Sequence, residues 1–117
     1  MKQKNKAILL GIVLWSNLVL GVSPPNPTGS DIRQNTAGGA SVLLKNTVGV
    51  ANTGFGSGTL ASNTSGSFNT ANGQFALNKN NIGYSNTAIG TGALSQNTSG
   101  HGNSACGVNA LLSNTTG

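Results

Sequence analysis

Acid is almost missing from this chain: of its 117 residues, Asp31 is the only carboxylate side chain. That excludes the paired-carboxylate chemistry of glycoside hydrolysis within the chain. Histidine and cysteine are equally scarce, with His101 and Cys106 the single example of each. A lone Cys forms no internal disulfide, and one His with one Cys does not make a metal site. As nucleophile and base they have no third residue to orient the base. The Asp-bearing nonapeptides of calcium-binding solenoids are missing too. No enzyme activity, metal or cofactor is therefore expected. Aromatic residues make up 4% of the chain and, beyond the amino-terminal segment, basic residues do not cluster, so neither base stacking nor phosphate neutralisation has side chains to carry it. Nucleic-acid binding is not expected.

The formal charge of +5 is concentrated at the amino terminus, where Lys2, Lys4 and Lys6 precede the apolar run of residues 7–22. A basic segment followed by such a run is the pattern of an export signal, with Val19 and Gly21 suited to a cut after Gly21. The run contains Ser16 and Asn17 and is short for a membrane span. Secretion or display at a cell surface is the expectation, with membrane contact only through the signal segment or an anchor outside this sequence. Beyond the cut, Arg33, Lys45 and Lys79 against Asp31 leave a net +2. Residues 1–21 thus read as a signal peptide, expected to be helical. Residues 22–34, with Pro24, Pro25, Pro27, Gly29 and Ser30, read as an extended linker.

What remains, residues 35–117, is one 17-residue unit written five times without a gap, the last copy cut short. The first position holds Asn35, Asn52, Asn69, Asn86 and Asn103; the twelfth holds Asn46, Asn63, Asn80, Asn97 and Asn114. The ninth is Leu43, Leu60, Leu77, Leu94 and Leu111. Glycine recurs at the fifth (Gly39, Gly56, Gly73, Gly90, Gly107) and the fifteenth (Gly49, Gly66, Gly83, Gly100, Gly117), which take ten of the chain's 18 glycines. The third is Ala37, Gly54, Ala71, Ala88 and Ala105, and the second is Thr or Ser. A disordered polar tract would not place its glycines this way.

Seventeen residues are too few for a helical repeat, and Gly, Asn and Thr weaken helix throughout. Two short apolar clusters per unit, such as Ala88-Ile89 and Ala93-Leu94, flanked by Gly or Asn able to form corners, predict an all-β parallel β-solenoid. About five turns would each carry two short strands and two glycine corners and stack at roughly 4.8 Å. Leu and Ala would then form an inner rank and the Asn positions would form ladders. The fourth position, with Gly38, Phe55, Asn72, Ile89 and Cys106, is too varied for the interior and is expected to face outward. Asn63, Asn97 and Asn114 lie in glycosylation sequons by letter, but their coincidence with a ladder position favours the structural reading.

Each unit offers a single Leu, and so small a core predicts a homo-oligomer. The units NTAIGTGALSQNTSG and NSACGVNALLSNTTG resemble the repeats of YadA-like heads in trimeric autotransporter adhesins. They are also similar to the N-T-A-V-G repeats of bacterial surface proteins and tail fibres. The resemblance spans residues 35–117 and implies a left-handed, homotrimeric β-roll on a bacterial outer surface. Adhesion to host matrix, a cell-surface receptor or a glycan would be its function. A rival with the same fold is ice binding, for which Thr36, Thr53, Thr70, Thr87 and Ser104 make one rank. Thr47, Thr64, Thr98 and Thr115, interrupted by Asn81, make another.

Overall fold

A computed structural model describes residues 29–117. The expected signal peptide, residues 1–21, and the first part of the linker lie outside the described residues. The described chain is a parallel β-solenoid. Five strands, one per repeat, stack in sequence order: β2 (Thr36–Gly38), β3 (Thr53–Phe55), β4 (Thr70–Asn72), β5 (Thr87–Ile89) and β6 (Ser104–Cys106). Every pairing is in register with the repeat, so that Thr70 lies against Thr87 and Ala71 against Ala88. A short strand, β1 (Gly29–Ser30), runs antiparallel to β2 at the amino-terminal edge.

The expectation of two strands per unit is corrected: only positions 2–4 are extended. The second apolar cluster lies in a run of tight turns, because the backbone there takes positive φ at alternate residues. Phe75 and Leu77, at positions 7 and 9, have φ of 59° and 50°. Overlapping i→i+3 hydrogen bonds close the turns, with Ala76 N–H donating to Gly73 O, Asn78 N–H to Phe75 O, and Asn80 N–H to Leu77 O. In the first two turns the left-handed residue stands third, where a type II turn needs it. Between the turns, the intervening N–H groups still pair with the adjacent coil, as Leu60 N–H does with Ala76 O at 3.1 Å. The backbone therefore remains hydrogen-bonded between coils without a second strand.

The glycine assignment is also refined. Position 5 turns a corner, with φ between 117° and 131° in all five copies. Position 15 does not have positive φ. Its glycines are required by space, because a Cβ on Gly66 would overlap Asn63 Oδ1 and the carbonyl oxygen of Gly83 in the next coil. The remaining left-handed sites are carried by residues that are mostly not glycine, including Ala51, Phe68 and Ser85 at position 17.

The interior is one narrow rank: Leu60, Leu77 and Leu94 are fully buried, packed with Ala71, Ala76, Ala88, Ala93 and Ala105. Leu43 and Ala110 pack at its edges, partly buried, and Ala37 is also half-buried. Leu111 is 49% exposed.

Candidate functional site

Two asparagine ladders flank this core. At position 1, Asn52 Nδ2 donates to Asn35 Oδ1 of the preceding coil (3.1 Å) and to Gly66 O of its own coil (2.8 Å), while Asn52 N–H donates to the same Asn35 Oδ1 (2.9 Å). Asn69, Asn86 and Asn103 repeat the arrangement. At position 12, Asn63, Asn80, Asn97 and Asn114 each donate to the Oδ1 one coil back and to the glycine carbonyl three residues on. Asn46, first in that rank, donates to Gly49 O. The position-15 carbonyl thus accepts from both ladders. Among the described residues, no buried side-chain nitrogen or oxygen lacks a partner. That satisfaction allows six amides from Asn52 to Asn97 to sit fully buried without a desolvation penalty left open.

The amino-terminal edge is closed by a residue outside the repeat pattern. Asp31 Oδ1 accepts from Asn35 N–H and Arg33 N–H, both at 2.9 Å, and Oδ2 accepts from Asn35 Nδ2 at 3.0 Å. Its carboxylate therefore takes the place that a preceding Asn side chain would occupy. Arg33 O likewise accepts Ala51 N–H, as Val50 O does for Phe68 N–H one coil later. Residues 29–34 are thus a partial turn docked on the coil, where the sequence suggested free linker. Burial pushes the Asp31 carboxyl up, but the two hydrogen bonds from Asn35, the Arg33 N–H and the Arg33 charge outweigh it and hold the group below its ordinary 3.8. Repeat alignment could not reveal this role, since Asp31 precedes Asn35 by four residues and not by 17. A short polar residue just before the first ladder Asn was the only available signal.

The outer surface carries the variation. At position 4, Asn72, Ile89 and Cys106 are exposed and Gly38 and Phe55 half-exposed. The position-2 Thr rank lies in register along the strands, partly or fully exposed. At position 13, Thr47, Thr64 and Thr98 use their hydroxyls as donors to the backbone carbonyl of the next coil.

No family model, characterised protein or solved structure matches the chain.

Positions 14 and 16 lie either side of the buried position-15 glycine and both project outward. Successive coils place Val48, Ser65, Ile82 and Ser99 along one rank and Val50, Ser67, Tyr84 and His101 along the other. The Tyr84 and His101 rings stack with centroids 4.7 Å apart and planes 11° from parallel, so the rings repeat the spacing of the coil. His101 thus shares a stack with Tyr84, and Cys106 is a free, exposed thiol. Among the described residues, no three of His, Cys, Asp or Glu converge as a metal-ion site would require.

Proposed function

We propose that this chain is an exported, non-catalytic surface module, a β-solenoid segment that works in adhesion as a homotrimer. The observation that carries the reading is the division between inside and outside. Buried positions repeat Asn, Gly, Ala and Leu, whereas positions 4, 14 and 16 change from coil to coil and face solvent. Such a scaffold holds its shape while presenting a varied, weakly charged surface to a receptor. The signal-like amino terminus supports secretion to a cell surface, a bacterial outer surface being the natural setting for repeats of this type. Host matrix, a cell-surface protein or a glycan would be the receptor.

Association of copies is supported by the exposed apolar side chains. Phe68, Phe75, Ile82 and Tyr84 all lie between 47% and 62% exposed on a single chain, apolar area that association of copies would cover. Equilibrium sedimentation of the exported protein should give three times the mass of one mature chain, which without residues 1–21 is less than the 11.6 kDa of the full sequence; a folded monomer contradicts the trimer. Adherence of cells or beads coated with the protein to matrix and to glycan surfaces tests the activity itself.

Ice binding is favoured by one observation, the in-register Thr rank at position 2. Against it, position 4 on the same strand face holds no Thr, and the position-13 hydroxyls are engaged with backbone. Thermal hysteresis at high protein concentration separates this reading from adhesion.

A further inference from the structure

The two outward ranks beside the position-15 glycines vary in size from coil to coil. Coil one contributes Val48 and Val50 and coil three contributes Ile82 and Tyr84, but between them coil two contributes only Ser65 and Ser67. The side chains of one rung are therefore missing from a surface whose rungs are roughly 4.8 Å apart. One face of Tyr84 is covered by the stacked His101 ring at 4.7 Å. Tyr84 is nonetheless 48% exposed, so the face turned toward Ser67 is largely open. The position on Tyr84 that would mirror His101 is a slot about one ring thick. Val50 stands opposite, and Ser65 and Ser67 form the floor.

The geometry points to this notch as a binding site for one ring of a neutral oligosaccharide, its apolar face on Tyr84 and its hydroxyl edge toward Ser65 and Ser67. The proposal rests on the adhesive reading above and names the ligand class and the contact residues. An open aromatic face beside hydroxyls pairs an apolar wall with a few polar groups, as small-ligand sites do. Charge selects among ligands: of the charged side chains of the described residues, Lys45 and Lys79 stand at position 11, Asp31 is engaged by Asn35 and Arg33, and Arg33 heads the position-16 rank one coil beyond Val50, so none belongs to the notch itself. A phosphate, sulfate or carboxylate would find no counter-charge among Val50, Ser65, Ser67 and Tyr84, whereas a neutral sugar needs none. Ser67 Oγ accepts Val50 N–H at 3.1 Å and donates to Ser65 O at 3.3 Å, so its remaining lone pair can accept from a sugar hydroxyl.

Tyr84 is the chain's only tyrosine, so its ring resonances report on the notch directly. The full chain is titrated with chitohexaose, cellohexaose and maltohexaose as neutral probes and with a heparin hexasaccharide as a polyanion. At least one neutral probe should shift the Tyr84 ring signals saturably, and Ser67→Leu should weaken that binding at least tenfold. This rank already holds Val, Tyr and His in other coils, so the variant should keep the wild-type circular dichroism; Tyr84→Ser should abolish binding as well. No saturable shift with any neutral probe, an unchanged affinity in Ser67→Leu, or equal binding of heparin overturns the proposal. Adherence measured on the same samples keeps the two readings apart. Adherence without a Tyr84 shift removes the notch and leaves adhesion standing, and a saturable shift without adherence does the reverse.

Discussion

Leu77 is fully buried with a φ of 50°, and the other four leucines of its rank have φ of 50–52°. The left-handed conformation costs an L-residue about 1–2 kcal/mol, while burying a Leu side chain is worth about 1.5–3 kcal/mol. Burial wins narrowly, which is why the position keeps Leu although its backbone would suit Gly or Asn. A substitution can separate the two effects. Asn adopts positive φ more readily than Leu, so Leu77→Asn relieves the backbone and loses only the core. The lost burial plus an unpaired buried amide should cost about 3–6 kcal/mol and unfold the repeat region in a chemical denaturation series. Asn72→Ser, on the exposed fourth position, should shift the midpoint hardly at all. Equal tolerance at the two sites would contradict the placement of inside and outside. The inward ranks were legible because an invariant residue at a fixed interval needs only counting. The physical reason for each invariance was less so. Gly66 and Leu77 are both fixed, yet the glycine is demanded by a crowding amide and carbonyl and the leucine bears the left-handed turn.

Among the elements, the amino-terminal partial turn was hidden from sequence reasoning because it imitates the repeat in hydrogen bonding and not in spelling. Asp31 supplies the oxygens of a missing Asn, and its carboxyl is held below 3.8 by the groups that donate to it. A carboxylate whose pKa is lower folded than unfolded stabilises the fold above its unfolded value, and that contribution fades as pH falls through the folded value. As the only side-chain acid, Asp31 should make the edge lose stability below about pH 3.8. Hydrogen exchange at Asn35, Ala51 and Asn52 should quicken there in the wild type. In Asp31→Asn, which retains one accepting oxygen, exchange should start slightly faster and show no such step. An identical acid response in the variant would assign the effect elsewhere. The strands allow a second check. Ile89 pairs in register with Cys106, at a separation of roughly 4.8 Å that a disulfide can span. Oxidised Ile89→Cys should therefore form an intramolecular bridge, whereas Asn72→Cys, two coils from Cys106, should remain reduced.

For the whole molecule, successive coils matter more than any distant contact. Each coil touches only its neighbours, so stability accumulates along the stack and the edges are its weak points. Leu43 and Leu111, at the two ends of the Leu rank, are less buried than the three between them. The parallel coil was readable from the period, because no helical repeat fits 17 residues. The single strand per coil was not readable, because alternate left-handed residues leave no clear mark when Phe, Ser and Leu occupy them. Nor could composition reveal the notch beside Tyr84. It exists only once Ser67 is set between Val50 and Tyr84 by stacking.

The account stands on that stacking, and methyl-resolved nuclear Overhauser spectroscopy reads it most directly. Leu77 methyls should show contacts to the methyls of Leu60 and Leu94, and Ala71 to those of Ala88, each pair 17 residues apart in the sequence. Leu77 contacts to neither leucine, or no Ala71 contact to Ala88, would contradict it.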